Sequence, residues 1–276
     1  MRSRLLAALV LSLSSLAVVA PAGDLPGLSR AVAPPAASGP ILFAFDGKGL
    51  GGFTTFLRDQ GRDDPAGVFV VEAGCLRISG AEYGGITTRD SFANYHLVAE
   101  WRWGGPTHYP RRWLARNSGI LFHCDGSEGD GLGAWMNGYE GQLIEGGSGD
   151  LILVPGKARP APTLRAEVRT GADGQPYYRP GGEAVTRARG RLNWWGRDPR
   201  WRDALWFRGP DDLERPVGEW NRTDLVCDGD RVSVFLNGRL ANAANHLSRS
   251  RGRIQFQSEG AEIWFRKIEI HRLSGL

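Results

Sequence analysis

The chain has 276 residues, of which 39 are glycine, 10 are tryptophan and 2 are methionine. Hydrophobic residues make up 41% and charged residues 23%, which is ordinary for a globular protein and too apolar for a disordered one. Glycine is about twice as frequent as usual but follows no Gly-X-Y period, so a collagen-like chain is excluded. Many glycines and aromatic residues with few methionines favour strands and turns.

The N-terminal segment is typical of an export signal. Arg2 and Arg4 precede an apolar run, and Ala20-Pro21-Ala22 fits a small-x-small cleavage pattern. We therefore expect a secreted or periplasmic protein, cleaved near Ala22 and without a membrane segment after cleavage. The predicted parts are a signal peptide over 1–22, a flexible leader over 23–39 and a single domain over 40–276.

The net positive charge of the chain does not indicate a polyanionic partner once the predicted signal peptide is removed. The formal net charge of +4 includes Arg2 and Arg4, so the mature balance is 32 − 30 = +2. The remaining basic residues are scattered, apart from a short run of Arg187, Arg189 and Arg191 that a solvated loop explains. The sequence therefore predicts no nucleic-acid partner, and it makes no prediction of an oligomeric state.

Short strand patterns separated by turn residues recur along the predicted domain. The clearest hairpins lie between Thr223 and Asn242, where Asp228-Gly229 and Asn237-Gly238 separate alternating apolar residues. In the last segment the apolar phase changes, and a bulge near Arg266-Lys267 would restore one buried face. The predicted strand regions, in chain order, are 41–45, 68–72, 75–78, 95–103, 116–125, 137–147, 223–242 and 253–271.

No helical period longer than two turns follows the predicted signal peptide. Many short strands without βαβ alternation predict an all-β fold, a two-sheet antiparallel β-sandwich or jelly roll with long loops. The segment from Arg179 to Arg215 is rich in Gly, Pro, Arg and Trp, and we interpret it as an elaborate loop over one sheet. Within it, Trp194 and Trp195 are candidates for a sugar-facing rim, with core packing as the alternative.

Polar residues at strand spacing suggest a site on the predicted strand 137–147. Glu140 and Gln142 point to one face of that strand, and one bulged residue would bring Glu145 to the same face. Two carboxylates and an amide on a concave sheet face can position a sugar or perform acid–base chemistry. The alternative is an ordinary exposed polar strand face.

Two further strand patterns carry candidate site residues. Asn117 and His123 lie on one face of the strand pattern 116–125, where His123 could be a base, a metal ligand or a plain polar contact. Gln257 and Glu259 alternate outward in the segment 253–271. Together with Trp194 and Trp195, these residues would form a polar face rimmed by tryptophan, which is typical of carbohydrate sites.

Metal binding has little support in the sequence. The three cysteines are widely spaced and form no Cys/His cluster with metal-ligand spacing. No cofactor is predicted on this basis, although a divalent metal ion is left open.

Six motifs together resemble the bacterial 3-keto-disaccharide hydrolase domain family, over about Ile41 to Leu273. They are Leu42–Lys48, Asn117–Ile120, Gly138–Gln142, Gly218–Asn221, Asp230–Gly238 and Gln257–Arg266. The resemblance implies a concanavalin/laminarinase-type jelly roll, export, and cleavage of glycosides whose sugar is oxidised at C3. The expected partner is an oligosaccharide or glycoside substrate.

The implied reaction is base-assisted elimination followed by hydration, which is a net hydrolysis. A 3-keto group acidifies the C2 proton, so the reaction needs a base near C2, an enolate stabiliser near O3 and an acid near the leaving oxygen. Glu140 is the leading acid–base candidate, with Glu145 or His123 second. Asn117 and Gln142 would orient hydroxyls or the enolate.

Three alternatives stay open, and the first is a structural surface protein, against which the polar face of Glu140 and Gln142 argues. The spacing Glu140-x-Gln142-x-x-Glu145 also resembles the Glu-x-Asp-x-x-Glu strand of laminarinase-like glucanases, whose outer carboxylates are nucleophile and acid–base. The chain could instead be a noncatalytic carbohydrate-binding sandwich of the cell envelope, because sandwiches of this type often only bind.

Overall fold

The computed structural model describes residues 32–157 and 160–273, and within them all regular structure is β-strand. The predicted signal peptide and residues 23–31 of the predicted leader lie outside this part of the chain. No helix among the described residues has the length and apolar character needed to span a bilayer. The predicted all-β jelly-roll sandwich of two antiparallel sheets is confirmed.

Nineteen strands occur in the described part of the chain. In chain order they are β1 (Ile41–Ala44), β2 (Phe53–Leu57), β3 (Phe69–Glu72), β4 (Cys75–Ile78), β5 (Gly84–Thr88), β6 (Phe92–Ala93), β7 (Tyr95–Thr107), β8 (Asn117–Asp125), β9 (Asn137–Ile144), β10 (Leu151–Val154), β11 (Leu164–Thr170), β12 (Pro176–Tyr178), β13 (Glu183–Arg187), β14 (Gly190–Leu192), β15 (Asn221–Asp228), β16 (Arg231–Leu236), β17 (Arg239–Ala244), β18 (Arg251–Ser258) and β19 (Ala261–Arg272).

Two eight-stranded sheets form the sandwich. The first runs β17-β16-β15-β7-β19-β4-β3, and β1 also pairs with β19. The second runs β14-β10-β9-β8-β18-β5-β2, and β6 also pairs with β18. A smaller three-stranded sheet has the order β12-β11-β13. The strand pairs within these sheets are antiparallel. Side chains alternate between the two faces along each strand, and residues paired across neighbouring strands point to the same face.

The core lies between the two large sheets. Ile120 and Phe122 of β8, Tyr139 of β9 and Phe256 of β18 are fully buried there, packed with Phe265 of β19 from the first sheet. Because side chains alternate along each strand, the residues between these positions point to the opposite face of the second sheet. That outer face carries the polar residues described below.

Two local features predicted from the sequence, a hairpin turn and a bulge, are confirmed. Asn237 and Gly238 both adopt positive φ, +50° and +80°, as a two-residue type I′ hairpin between β16 and β17 requires. The register between β19 and β7 shifts between Phe265 and Lys267, where the change of apolar phase predicts a bulge.

The long segment 179–215 is more regular than predicted. It contains β13 and β14, and β13 pairs with β11 while β14 extends the second sheet beside β10. These strands are only three to five residues long and mostly exposed, so their sequence lacks the apolar alternation that identifies a half-buried strand. The remainder, after β14, forms irregular loops at the edge of the second sheet.

Candidate active site

A cavity of about 330 Å³ opens on the outer face of the second sheet. Its floor is built by β8, β9 and β18, and its walls come from loops around residues 111, 132 and 201–203. It is lined by Arg111, Asn117, Leu132, Trp135, Glu140, Gln142, Ile144, Ile152, Leu153, Val154, Pro155, Arg191, Trp201, Asp203, Gln257 and Glu259. Five of the nine residues predicted for the site therefore line one cavity.

Strand register explains why residues so distant in sequence meet there. Leu121 and Gly119 of β8 lie opposite Glu140 and Gln142 of β9, respectively. The pairing of β18 with β8 places Gln255 opposite Leu121, so Gln257 falls on the same face two residues further on. The alternating pattern in each strand thus adds up to one continuous polar surface.

Gly119 makes room for the two side chains at the centre of the floor. A Cβ atom at this position would overlap Oε1 of Glu140 and Oε1 of Gln257. The absence of a side chain on β8 therefore lets a carboxyl group and an amide approach each other above the sheet. Any larger residue at position 119 would displace one of them.

Four oxygen atoms of this floor are buried without a hydrogen-bond partner among the described residues. They are Oδ1 of Asn117, Oε1 of Glu140, Oε1 of Gln142 and Oε1 of Gln257. An unsatisfied buried polar atom costs about 1–3 kcal/mol, so four in one place is an unusual concentration. Hydroxyl groups of a polar ligand would satisfy these acceptors.

Two carboxyl groups of the cavity have raised pKa values. Burial, together with the nearby charge of Glu259, raises the pKa of Glu140 to about 8. Burial raises the pKa of Glu259 to about 7, although this residue keeps some exposed surface, and the charge of Arg111 partly opposes that rise. At neutral pH, Glu140 is therefore mainly protonated and Glu259 is about half ionised.

Two arginines border the cavity, and each is held by a carboxylate. Arg111 Nη2 donates to Asp203 Oδ1 at 2.6 Å, and Arg191 Nη1 donates to Asp150 Oδ2 at 2.9 Å. Asp150 is fully buried and also accepts from Arg197 and from the backbone N–H of Trp194. These ion pairs fix the positions of the two guanidinium groups on the cavity walls.

Trp201 gives the cavity an aromatic wall and was not among the residues predicted for the site. The guanidinium carbon of Arg197 lies 4.1 Å from the centroid of the Trp201 ring. The indole N–H of Trp201 donates to the backbone oxygen of Glu145 at 3.0 Å. The ring is thus fixed at its edge and covered on one side. Trp135, whose ring stacks on Tyr83, forms a second aromatic wall. Both lie in loops, where no periodicity indicates which way a side chain points.

Glu145 does not join the cavity. β9 ends at Ile144 without the bulge that would turn Glu145 to the face of Glu140. Its carboxylate is fully buried, bound by Arg116 Nη1 at 2.9 Å and by the backbone N–H of Trp206 at 3.1 Å. The glucanase-like pair of Glu140 and Glu145 on one strand face is therefore not formed.

His123 also lies away from the cavity lining. Its ring is fully buried among the aromatic rings of Tyr95, Phe122 and Tyr139, and its Nδ1 is 3.0 Å from the backbone oxygen of Arg249. The register of β8 shifts between Phe122 and Asp125, and His123 has a φ of +49°, so strict alternation fails at this residue. Burial lowers the pKa of His123 to about 4, which leaves the ring neutral at physiological pH.

Trp194 and Trp195 do not form the predicted rim. Trp194 is 1% exposed and belongs to the core, and Trp195 packs against it with ring centroids 5.2 Å apart. The indole N–H of Trp195 donates to the backbone oxygen of Leu240. The backbone of this pair is held in place because the N–H of Trp194 donates to Asp150 Oδ1 and the N–H of Trp195 donates to the backbone oxygen of Ala241.

The described residues include no group of three or more His, Cys, Asp or Glu side chains arranged to hold a metal ion. Within the cavity, the acidic side chains are Glu140, Glu259 and Asp203, and Asp203 is occupied by Arg111 and by the backbone N–H of Ala115. The amide groups of Asn117, Gln142 and Gln257, which lie in the same cavity, can bind hydroxyl and carbonyl groups of an organic ligand.

Comparisons with solved structures give distant likenesses. A Parabacteroides distasonis protein, provisionally described as a glycosyl hydrolase, is 20% identical with a TM-score of 0.48; the match covers 83% of this chain and 92% of that one. The carbohydrate-binding module CBM66 from Bacillus subtilis is 13% identical with a TM-score of 0.45, covering 80% and 95%. The Bacillus licheniformis beta-glucanase is 9% identical with a TM-score of 0.43, covering 84% and 98%.

Sequence comparisons are more specific. No curated protein matches the chain significantly. One family model, described as a 3-keto-alpha-glucoside-1,2-lyase-like domain, matches residues 42–271, which is nearly the whole predicted domain. This extent agrees with the resemblance carried by the six sequence motifs. The chain therefore belongs to the 3-keto-alpha-glucoside-1,2-lyase-like domain family.

Proposed function

We propose that this protein cleaves the glycosidic bond of 3-keto-glycosides, including 3-keto-disaccharides, by elimination followed by hydration. The observation that supports this function best is the pair Glu140 and Glu259 in one cavity, with raised pKa values that differ. Elimination needs a base and an acid in the same site at the same pH. Two carboxyl groups whose surroundings separate their pKa values can divide these roles.

Glu259 is assigned the role of the base because a larger fraction of it than of Glu140 is ionised at neutral pH. Its carboxylate would take the proton from C2 of the sugar, and the electron pair of that C–H bond would move to the C3 carbonyl oxygen. The resulting enolate carries a negative charge that the site must stabilise. Arg111, Arg191 and the amides of Asn117, Gln142 and Gln257 are donors on the cavity walls and floor, and Arg111 is the arginine beside Glu259.

Glu140 would then supply the proton for the leaving group. As the enolate collapses, C1 and C2 become doubly bonded, the C1–oxygen bond breaks, and the departing oxygen takes the proton of Glu140. Hydration reverses the roles: ionised Glu140 accepts a proton from water as it adds to C1, and Glu259 returns its proton to C2. The sum of the steps is hydrolysis, and both carboxyl groups regain their starting state.

The unpartnered oxygen atoms of the floor support a sugar as the ligand. Sugar hydroxyls donate hydrogen bonds in several directions, and the oxygen atoms of Asn117, Gln142 and Gln257 accept them from one surface. The Trp201 ring offers a flat apolar wall for the C–H face of the sugar. A ligand that is polar on its edge and apolar on its face fits both.

The test is turnover of a 3-keto-glucoside and of the same glucoside without the keto group, in D₂O. We expect cleavage of the keto substrate only, with deuterium incorporated at C2 of the product because the proton that Glu259 takes from C2 exchanges with solvent before C2 is protonated again. Glu140→Gln is expected to abolish most turnover, and Glu183→Gln, on an exposed strand, serves as the matched control.

Two results would contradict this function. Cleavage without deuterium at C2 would indicate direct displacement at C1. Binding of glycans without turnover of any of them would instead support the noncatalytic carbohydrate-binding alternative.

Export is part of the proposal, because the segment 1–22 has the composition of a signal peptide. The full chain, expressed in a bacterial host and fractionated, should appear outside the cytoplasm with a new N-terminus near residue 23. A chain that stays in the cytoplasm with its N-terminal segment intact would contradict export.

A further inference from the structure

Arg111 is fastened to the turn that carries Glu259. The Gly260 backbone has a φ of +80°, and a Cβ there would lie 2.8 Å from Cβ of Arg111 and 3.1 Å from its Cγ and Cδ. The stem of Arg111 therefore lies directly across the backbone of the residue after Glu259. The N–H of His108 also donates to the backbone oxygen of Gly260, so the loop around Arg111 and the β18–β19 turn are joined at two places.

The guanidinium group of Arg111 is only partly used by the protein. Nη2 donates to Asp203 Oδ1 and to the backbone oxygen of Ala115 at 2.9 Å. Nε is buried and has no hydrogen-bond partner among the described residues. Guanidinium groups carry five N–H donors in a planar fork, so Arg111 keeps donors available while its position is fixed.

The two cationic side chains of the cavity differ in their neighbours. Arg191 extends from β14, at the edge of the second sheet, where buried Asp150 binds it. Arg111 lies beside Glu259, and its charge is the largest influence that lowers the pKa of this carboxyl group against the effect of burial. Asp203, the ion-pair partner of Arg111, keeps 37% of its side chain exposed. It is therefore more hydrated than Asp150, the fully buried partner of Arg191.

We propose that Arg111 is a catalytic residue that binds the C3 carbonyl oxygen and stabilises the negative charge that develops there. This role rests on the function proposed above. C2 and C3 are bonded to each other, so a base acting at C2 and a donor acting at the C3 oxygen must be neighbours. When Glu259 takes the C2 proton, the electron pair passes to the C3 oxygen, and the N–H donors of Arg111 meet that charge without needing to move.

Asp203 is a positioning residue in this arrangement. It accepts from Nη2 and so fixes the guanidinium group on the cavity wall. Donors fixed in place before the reaction stabilise a developing charge more effectively than mobile ones, because no reorganisation is needed. Asp203→Asn should therefore lower kcat by less than a substitution of Arg111 does. The KM of Asp203→Asn should change by a smaller factor than its kcat.

The experiment compares Arg111→Ala and Arg111→Lys with Arg112→Ala, a change at the exposed neighbouring residue. We expect kcat of Arg111→Ala on the 3-keto-glucoside to fall about 10²–10³-fold, as for loss of one oxyanion donor. Arg111→Lys keeps the charge and the apolar stem but loses the fork, and its kcat should fall by less. Arg112→Ala should behave as the unchanged protein.

Two further readouts separate this role from a structural one. Added guanidinium ion should restore part of the activity of Arg111→Ala and none of Glu140→Gln. The acidic limb of the pH–rate profile of Arg111→Ala should also move to higher pH, because the charge that lowers the pKa of Glu259 is gone. Thermal unfolding of each variant confirms that it is folded before these comparisons are made.

The outcomes are distinguishable. If the unchanged protein turns over the keto substrate and both Arg111 variants match its kcat, the role of Arg111 is overturned and the proposed function stands. If Arg111→Ala loses activity but guanidinium does not rescue it and the pH profile does not move, the role is also overturned. If the unchanged protein has no turnover, the proposed function and this role both fail.

Discussion

Glu140 and Glu145 lie five residues apart in sequence, and both are almost completely removed from solvent, with exposures of 4% and 0%. Glu145 is bound by the guanidinium of Arg116 and a backbone N–H, so its charge is fully compensated. Oε1 of Glu140 has no hydrogen-bond partner among the described residues, and burial, followed by the charge of Glu259, raises the pKa of this carboxyl group against the opposing effects of Arg191 and the Gln257 side chain. One buried carboxyl group is therefore satisfied by the protein, and the other is left for a ligand.

This difference shows that burial by itself does not indicate whether a carboxyl group has a structural or a chemical role. A buried carboxylate with its own cation contributes to a specific structure, and removing either partner leaves a buried charge uncompensated. A buried carboxyl group without a cation is destabilising in its charged form, and it is retained where its chemistry is used. Glu140 and Glu145 should accordingly respond in opposite ways to the same substitution.

Glu140→Gln should have the largest effect on activity. Loss of the proton donor to the leaving oxygen should lower kcat on the 3-keto-glucoside by about 10²–10⁴-fold, the usual range for general acid–base catalysis. The change should raise stability rather than lower it. Between about pH 5 and pH 8 the unfolded chain ionises at this position while the folded protein keeps the proton, so the native state loses stability as pH rises.

The measurement is kcat together with denaturant unfolding at pH 5 and pH 8. The stability gain of Glu140→Gln should be larger at pH 8, and Glu183→Gln should show no gain at either pH. Normal turnover by Glu140→Gln would remove this residue from the proposed mechanism.

Glu145→Gln should have the largest effect on stability. Arg116 would keep a buried charge with no carboxylate partner, which typically costs about 3–5 kcal/mol. Urea unfolding at pH 7 should show this loss, while the kcat of the folded fraction changes far less than for Glu140→Gln. A stable but inactive variant would place Glu145 in the chemistry and contradict the distinction between the two glutamates.

The pH–rate profile should be bell-shaped. Glu259 must be ionised to act as the base, so kcat/KM should rise with pH through about 7. Glu140 must be protonated to act as the acid, so kcat/KM should fall above about pH 8. The narrow maximum between these values, measured with the keto substrate, belongs to the pair of groups. A profile that is flat from pH 6 to pH 9 would contradict this division of roles.

Trp201→Ala should weaken substrate binding more than it slows the chemistry. Removing the aromatic wall should raise KM by about tenfold, equivalent to about 1.4 kcal/mol, with a smaller change in kcat. Trp264→Ala, on the first sheet and outside the cavity lining, is the matched control. Equal KM values for the two variants would mean that the Trp201 ring does not contact the sugar.

His123→Asn should have the smallest effect on activity. Asparagine tolerates the positive φ of this position, and the buried imidazole is neutral and separated from the cavity. We expect a loss of stability from the lost aromatic contacts, seen as a lower Tm, with kcat close to that of the unchanged protein. A large fall in kcat at unchanged Tm would restore His123 as an acid–base candidate.

The candidate site was predictable where it lies on regular strands. Asn117, Glu140, Gln142 and Gln257 occupy alternating positions, and antiparallel pairing makes alternating positions share a face. The prediction for Glu145 depended on a bulge that β9 does not form, and His123 lies where β8 does contain an irregularity. Departures from alternation arise from contacts between strands, so one strand's sequence does not reveal them.

The sequence by itself determined the sandwich, its hairpin turns, the bulge near Arg266-Lys267 and the polar face of the second sheet, because alternation and turn chemistry are local properties. Only the tertiary structure decided which aromatic and charged residues of the loops reach the cavity. Trp201 and Arg111 reach it, whereas Trp194 packs into the core. Loop side chains are oriented by distant partners such as Asp203 and Asp150, and no periodicity in the chain encodes those contacts.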